Sequence, residues 1–264
     1  MQRTLKNRLS QWLPGTKKKG GASLGAPFLV YNMSKVGSST IYKTLAEEHG
    51  QDQVFHFHYL TNNFLDLRNT RHPMIELSLR MVQPYLDFQE KWPSLKPFIV
   101  TAVRDPMAHF LSGIFQNAAV YGQRIPELHE LTEKLKVWQA DYGAIWLDYE
   151  LKESFGLDFL GQPFDKDKGY TILENEKARG LCLRLENMNE VFSEAYAQLI
   201  NGPSLNLKEA ENLASEKKSG DLYRQYKKQL KFPEQFLREY YRQQFPRHFY
   251  SCSEIETFIN RWKA

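Results

Sequence analysis

Three short stretches collect side chains that could hold an anion or move a proton. The first is "SKVGSST", residues 34–40, in which Ser34, Lys35, Val36, Gly37, Ser38, Ser39 and Thr40 combine one cation, one glycine and four hydroxyls. Glycine permits positive φ or close approach of a ligand to the backbone. The free N–H groups that open a helix carry partial positive charge and suit phosphate or sulfate. A plain Ser/Thr helix cap beside a surface lysine would look the same. The second stretch, "VRDPMAHFLSGIF", places Arg104 just past an apolar run and Ser112 eight residues later. Asp105 suits the cap of the helix that follows, and Pro106 its first position. The third, "VFHFHYL", carries His56 and His58 two residues apart, hence on one face of a strand. Histidine changes protonation near neutral pH, as a proton acceptor must.

The elements that position these residues are legible from periodicity. "FLVYNM" reads as a buried strand, and "SSTIYKTLAEEHG" as a helix closing at Gly50 with Ile41 and Leu45 on one face. "QVFHFHYL" is a second strand. A polar linker follows, then helix over 73–91 interrupted at Pro84. "KPFIVTAV" is apolar and β-branched throughout, as a buried parallel strand should be, and runs through "RDP" into an amphipathic helix. Helical text continues to about residue 153. "GYTILE" and "GLCLRLE" are two more short strands near one another, and the remainder is mostly helical. Alternating strands and helices predict a largely parallel sheet with helices on both faces, with ligands beyond the carboxyl ends of the strands. The anion-type turns at 34–40 and 104–112 both fall at such ends.

Composition sets the outer bounds. The 264 residues are 42% hydrophobic and 25% charged, enough for one sizeable core, and no run approaches a membrane span. A basic arm over 1–25 precedes a single domain over 26–264. The first 20 residues hold six cations and no acid; removing those six from the net +4 leaves −2 for the remaining 244. The folded body is therefore not a nucleic-acid binder by charge, and the arm is either solvated or touches an anionic membrane surface. Cys182 and Cys252 form neither a metal-ligand cluster nor a disulfide framework, and a cytoplasmic location fits this usage.

Taken in order and strand context, "SKVGSST" and "VRDPMAHFLSGIF" make the chain resemble sulfotransferases that use 3′-phosphoadenosine 5′-phosphosulfate (PAPS). The two signatures cover about a tenth of the sequence. The resemblance implies a P-loop-like three-layer α/β fold with a helix-rich C-terminal half. It implies that Ser34, Lys35, Val36, Gly37, Ser38, Ser39 and Thr40 bind the 5′-phosphosulfate, with Lys35 also catalytic at the bridging oxygen. Arg104 and Ser112 would bind the 3′-phosphate. No metal is required, which accounts for the lack of a Walker G-x-x-x-x-G-K-[ST] sequence. Adenosine 3′,5′-bisphosphate would be the nucleotide product. Several sulfotransferases use a histidine base; here His58 is the first choice, then His56, with Glu48 and His109 behind. The terminal "HFYSCSEIETFINRW" is similar to bacterial, notably cyanobacterial, capsular polysaccharide synthesis proteins. No Arg-Lys-Gly motif of the phenol- and steroid-directed members is found near the C-terminus, which favours a saccharide or polysaccharide acceptor. Arg184 and Glu186 could reach a substrate but read more simply as an ion pair, and Lys166 and Lys168 as solvated loop charge. A P-loop kinase or NTPase, and an inactive nucleotide- or glycan-binding protein of the same fold, are the alternatives.

Overall fold

The computed structural model describes residues 25–61, 73–121, 124–137, 141–208 and 220–264. The predicted basic arm and most of the linker before residue 73 lie outside the described residues. Five strands form one sheet: β1 (Phe28–Tyr31), β2 (Val54–Phe57), β3 (Phe98–Val103), β4 (Tyr170–Glu174) and β5 (Arg179–Arg184). Their order is β2-β1-β3-β5-β4, parallel throughout except for β4, which pairs antiparallel with β5 at the edge. The largely parallel sheet expected from the sequence is present, and the two late strands are neighbours.

β1 and β3 lie inside the sheet and are buried on both faces, which is why both read as unbroken apolar runs. Phe28 and Tyr31, of opposite parity on β1, mark the two sides. Phe28 stacks on His49 at the end of α1 (Ser38–His49) and on Tyr196 of α7 (Met188–Ile200). Tyr31 packs against Trp146 and Phe155. These belong to a helical run composed of α5 (Tyr142–Trp146), a π-helical stretch (Leu147–Lys152) and α6 (Glu153–Phe155). Helices therefore cover both faces.

The helix α2 (Pro73–Lys91) corrects one expectation, because it passes through Pro84 without a break. Proline removes one intrahelical hydrogen bond. Aromatic packing on β2 opposes that loss: Tyr85 stacks on Phe57 with ring centroids 5.5 Å apart, and Phe88 meets Phe55 at 5.2 Å. Beyond β3 come α3 (Pro106–Tyr121) and α4 (Leu128–Val137). The C-terminal part is helical, with α8 (Gly220–Gln229), α9 (Glu234–Tyr241), α10 (Gln244–Phe249) and α11 (Cys252–Trp262). α11 opens with a full capping box between Ser251 and Glu254. Cys182 is buried and Cys252 exposed, and both are free thiols.

Candidate active site at the carboxyl ends of the strands

The turn after β1 is stitched to its neighbours by one buried side chain. Asn32 donates to the Val100 carbonyl at 3.1 Å and accepts from the Ala102 N–H, so the polypeptide leaving β1 is fixed against β3. Two residues on, Lys35 takes a left-handed conformation at φ 68°, and Gly37 follows at φ 83°. A lysine held there is strained by roughly 1–2 kcal/mol, a cost that tends to gather at functional turns. Gly37 is required twice over: a Cβ would stand 2.8 Å from Leu185 Cδ1 and 3.0 Å from Met188 Cε. The end of β5 thus closes on the same turn.

Gly37 is the N-cap of α1 and supplies no side-chain cap bond, so the turn is not a plain Ser/Thr cap. Ser38 and Thr40 are buried, Ser34 and Ser39 half-buried, and the Val36 side chain belongs to the core. Only the Val36 backbone could therefore meet a ligand.

The turn after β3 is bonded to the first. Arg104 Nη1 donates to the Lys35 carbonyl at 3.0 Å, and His109 Nε2 lies 2.8 Å from the Ser34 carbonyl. Asp105 caps α3 through the Met107 N–H at 3.1 Å, as its position before Pro106 predicts. Ser112 is buried farther along α3, and no hydrogen bond ties it to Arg104 among the described residues. Met33, Arg104, His109, Tyr142 and Phe245 enclose a cavity of about 10 Å³ between these elements. That is room for about one water. A nucleotide phosphate would have to lie outside it, over the turn itself.

His56 and His58 share a face, with ring centroids 5.2 Å apart. His56 is within β2, opposite Val30 of β1, and Tyr42 of α1 stacks on it. Its Nε2 is buried without a partner, and burial, with the adjacent His58, lowers its pKa to about 3. His58 stands just past the strand. Its Nδ1 is 2.7 Å from the Asn32 carbonyl, which can only accept, so Nδ1 carries the proton and Nε2 the lone pair. Burial and the Lys35 charge hold the His58 pKa below the ordinary value. Burial, then the Arg104 charge and to a lesser degree Lys35, bring His109 down to about 4, against the opposing bond to the Ser34 carbonyl. Glu48 is exposed on α1.

Some neighbours of these residues were not anticipated. Glu150, fully buried in the π-helical stretch, accepts hydrogen bonds from Tyr31, from the Leu60 and Thr61 N–H groups and from the Thr61 hydroxyl. Trp146 donates to the His58 carbonyl at 3.0 Å. Together they hold the segment that leaves His58. A π-bulge aims its side chains off the regular helical register, and nothing in a single sequence marks it. A polar residue ending an apolar strand was the available signal for Asn32.

The charged residues near β5 are structural. Arg184 pairs with Glu254 at 2.6 Å, not with Glu186. Glu186 is exposed as a residue, but its carboxylate is held between the Asp105 N–H at 2.8 Å and the Tyr250 hydroxyl at 3.0 Å. Enclosure of that carboxyl, with Asp105 nearby, raises its pKa. Lys166 donates to the Arg247 carbonyl and Lys168 to Gln198, so neither is simply solvated. Among the described residues, no cluster of three or more His, Cys, Asp or Glu side chains is placed to hold a metal, and no helix is long and apolar enough to cross a membrane.

Residues 121–251, just under half of the chain, match the NKWYS family model, described as "Putative capsular polysaccharide synthesis protein". That segment starts after both strand-end turns, so it includes neither Lys35 nor Arg104. No curated protein and no solved structure matches the chain. Over its matched portion, the chain is similar to a polysaccharide-synthesis-related family.

Proposed function

We propose that the protein is a sulfotransferase moving the sulfuryl group of PAPS to a hydroxyl of a saccharide or polysaccharide, on a P-loop-like fold. The observation that carries the reading is the bond from Arg104 to the Lys35 carbonyl, which joins two anion-type turns at adjacent strand ends. One ligand with a negative group at each end could span them. The match to a family described as putative capsular polysaccharide synthesis protein supports a saccharide or polysaccharide acceptor.

In this reading the open N-terminus of α1 and the Ser39 hydroxyl receive the 5′-phosphate, and Arg104 the 3′-phosphate. The acceptor hydroxyl gives its proton to His58 Nε2 as its oxygen attacks sulfur. The S–O bond to the phosphate breaks, and the electron pair stays on the nucleotide as adenosine 3′,5′-bisphosphate. Lys35 stabilises the charge that develops on that departing oxygen. His58 is neutral at pH 7, so its lone pair is available without prior deprotonation. No step calls for a metal.

The test is transfer of radiolabelled sulfate from PAPS to polysaccharide fractions of varied backbone, with [γ-³²P]ATP and Mg²⁺ as the parallel donor. Labelled polymer from PAPS alone is expected. Phosphate transfer or ATP hydrolysis in place of sulfation would replace this reading with the kinase or NTPase one.

A further inference from the structure

The ladder between β1 and β2 ends at the pair Tyr31–Phe57, so it does not hold His58, Tyr59, Leu60 and Thr61. One helical run holds them instead, through three side chains. The Tyr142 hydroxyl lies 3.0 Å from the Tyr59 hydroxyl, and the Trp146 indole N–H donates to the His58 carbonyl at 3.0 Å. Glu150 accepts from the Leu60 and Thr61 N–H groups at 2.8 and 3.1 Å and from the Thr61 hydroxyl at 2.8 Å. Tyr142, Trp146 and Glu150 follow one another at intervals of four. Such an interval overshoots an α-helical turn of about 3.6 residues and falls short of the wider π turn. The α stretch Tyr142–Trp146 and the π stretch Leu147–Lys152 therefore drift in opposite senses, which keeps the three side chains on one side.

Glu150 also reaches the other strand, because the Tyr31 hydroxyl donates to the same carboxylate. Tyr31 immediately precedes Asn32, whose carbonyl accepts from His58 Nδ1. One fully buried carboxylate thus anchors both polypeptides that meet at His58. It fixes β1 just before Asn32, and the segment from Leu60 just after His58. Its oxygens act only as acceptors, Oε2 from Tyr31, Leu60 and Thr61 and Oε1 from the Thr61 hydroxyl. A neutral imidazole can carry its proton on either nitrogen, and the partner of one ring nitrogen decides which. For His58 that partner is a backbone carbonyl, so the tautomer depends on how firmly the two polypeptides are held together.

We propose that Glu150 is a positioning residue for His58: by tying Tyr31 and Leu60–Thr61 to one carboxylate, it keeps Nδ1 on the Asn32 carbonyl and leaves Nε2 as the atom that takes the proton. That His58 is the base rests on the proposed function; its fixed orientation does not. Trp146 supports the same arrangement from the His58 carbonyl. Residues 121–251, the portion that matches the family model, contain all three helical side chains. In this assignment that portion orients a base that lies outside it.

The experiment reads the His58 ring directly. Nitrogen NMR of the histidine rings near neutral pH, with His58→Asn to identify the signal, is recorded for the wild type, Glu150→Leu, Glu150→Gln and Trp146→Phe. Sulfate transfer from PAPS is measured on the same samples. The wild type should show His58 protonated at Nδ1 alone. Glu150→Leu leaves the Leu60 and Thr61 N–H groups without their acceptor. It should give a mixture of His58 tautomers and lower kcat by about 10²-fold with KM for PAPS unchanged, the loss expected of a misplaced reacting group. Glu150→Gln keeps one acceptor oxygen and can donate to the Thr61 hydroxyl, so it should restore the single tautomer and most of the turnover. A folded Glu150→Leu protein with His58 still protonated at Nδ1 alone overturns the proposal, whatever its turnover. If that variant does not fold, Trp146→Phe decides: mixed tautomers support the proposal, and an unchanged ring overturns it. A wild type with the single tautomer but no sulfate transfer leaves the role of Glu150 standing and removes His58 as the base.

Discussion

The strand-end turns and the C-terminal helices use charge in opposite ways. Around β1 and β3 the candidate site side chains bond to backbone carbonyls: Arg104 to Lys35, His109 to Ser34 and His58 to Asn32. A carbonyl fixes the geometry of a side chain without cancelling a positive charge. In the C-terminal part, charged groups mostly find each other. Arg184 pairs with Glu254, and Arg238 bridges Glu234 and Glu256. There the pairing holds helices together and leaves little field for a ligand. The contrast separates a candidate site from a scaffold, and Arg104 falls on the candidate-site side by this criterion.

The largest expected effect comes from the site side. Lys35→Ala should lower turnover by about 10²–10³-fold, the usual loss when one group stabilising transition-state charge is removed, with little change in bisphosphate affinity by calorimetry. Unaltered turnover would take Lys35 out of the mechanism. His58→Asn should cost about 10²-fold or more in turnover, and an equal loss from His56→Asn would shift the base to the other imidazole.

The scaffold side should respond in stability instead. Arg184→Met removes the partner of Glu254 and should cost about 2 kcal/mol in denaturant unfolding, with activity per folded molecule retained. A selective loss of activity would erase the distinction drawn between the two regions. Tyr241→Phe deletes one donor to the buried Asp105 carboxylate and should cost about 1 kcal/mol.

The smallest effects are in pH. His56 and His109 have folded pKa values lowered to about 3 and about 4, whereas unfolded histidine titrates near 6.5. Between those values the unfolded chain binds more protons, so stability is full above about pH 6.5 and declines as the pH falls through this window. A melting temperature independent of pH from 7 to 4 would contradict the burial assigned to these rings. Turnover should likewise hold its plateau to a lower pH than an ordinary imidazole base would allow, because burial and the Lys35 charge lower the His58 pKa.

The same contrast explains what could be read from the sequence. β1 and β3 are buried on both faces and therefore announce themselves as apolar runs, and the turns that end them hold the residues whose types suggested anion chemistry. Asp105 before Pro106 gave the cap of α3 correctly. Pro84 misled because local propensity was outweighed by Tyr85 and Phe88 packing on β2. Glu150, Trp146 and the partner of Arg184 depend on contacts between residues 70 to 119 positions apart, for which a single sequence has no local signature.

The claim on which the rest depends is that one nucleotide bridges the Lys35 and Arg104 turns. Calorimetric titration of wild type and Arg104→Ala with adenosine 3′,5′-bisphosphate and 5′-AMP tests it directly. The wild type should favour the bisphosphate by tenfold or more, about 1.4 kcal/mol, and the variant should bind the two nucleotides equally. Equal binding of both by the wild-type protein would contradict it.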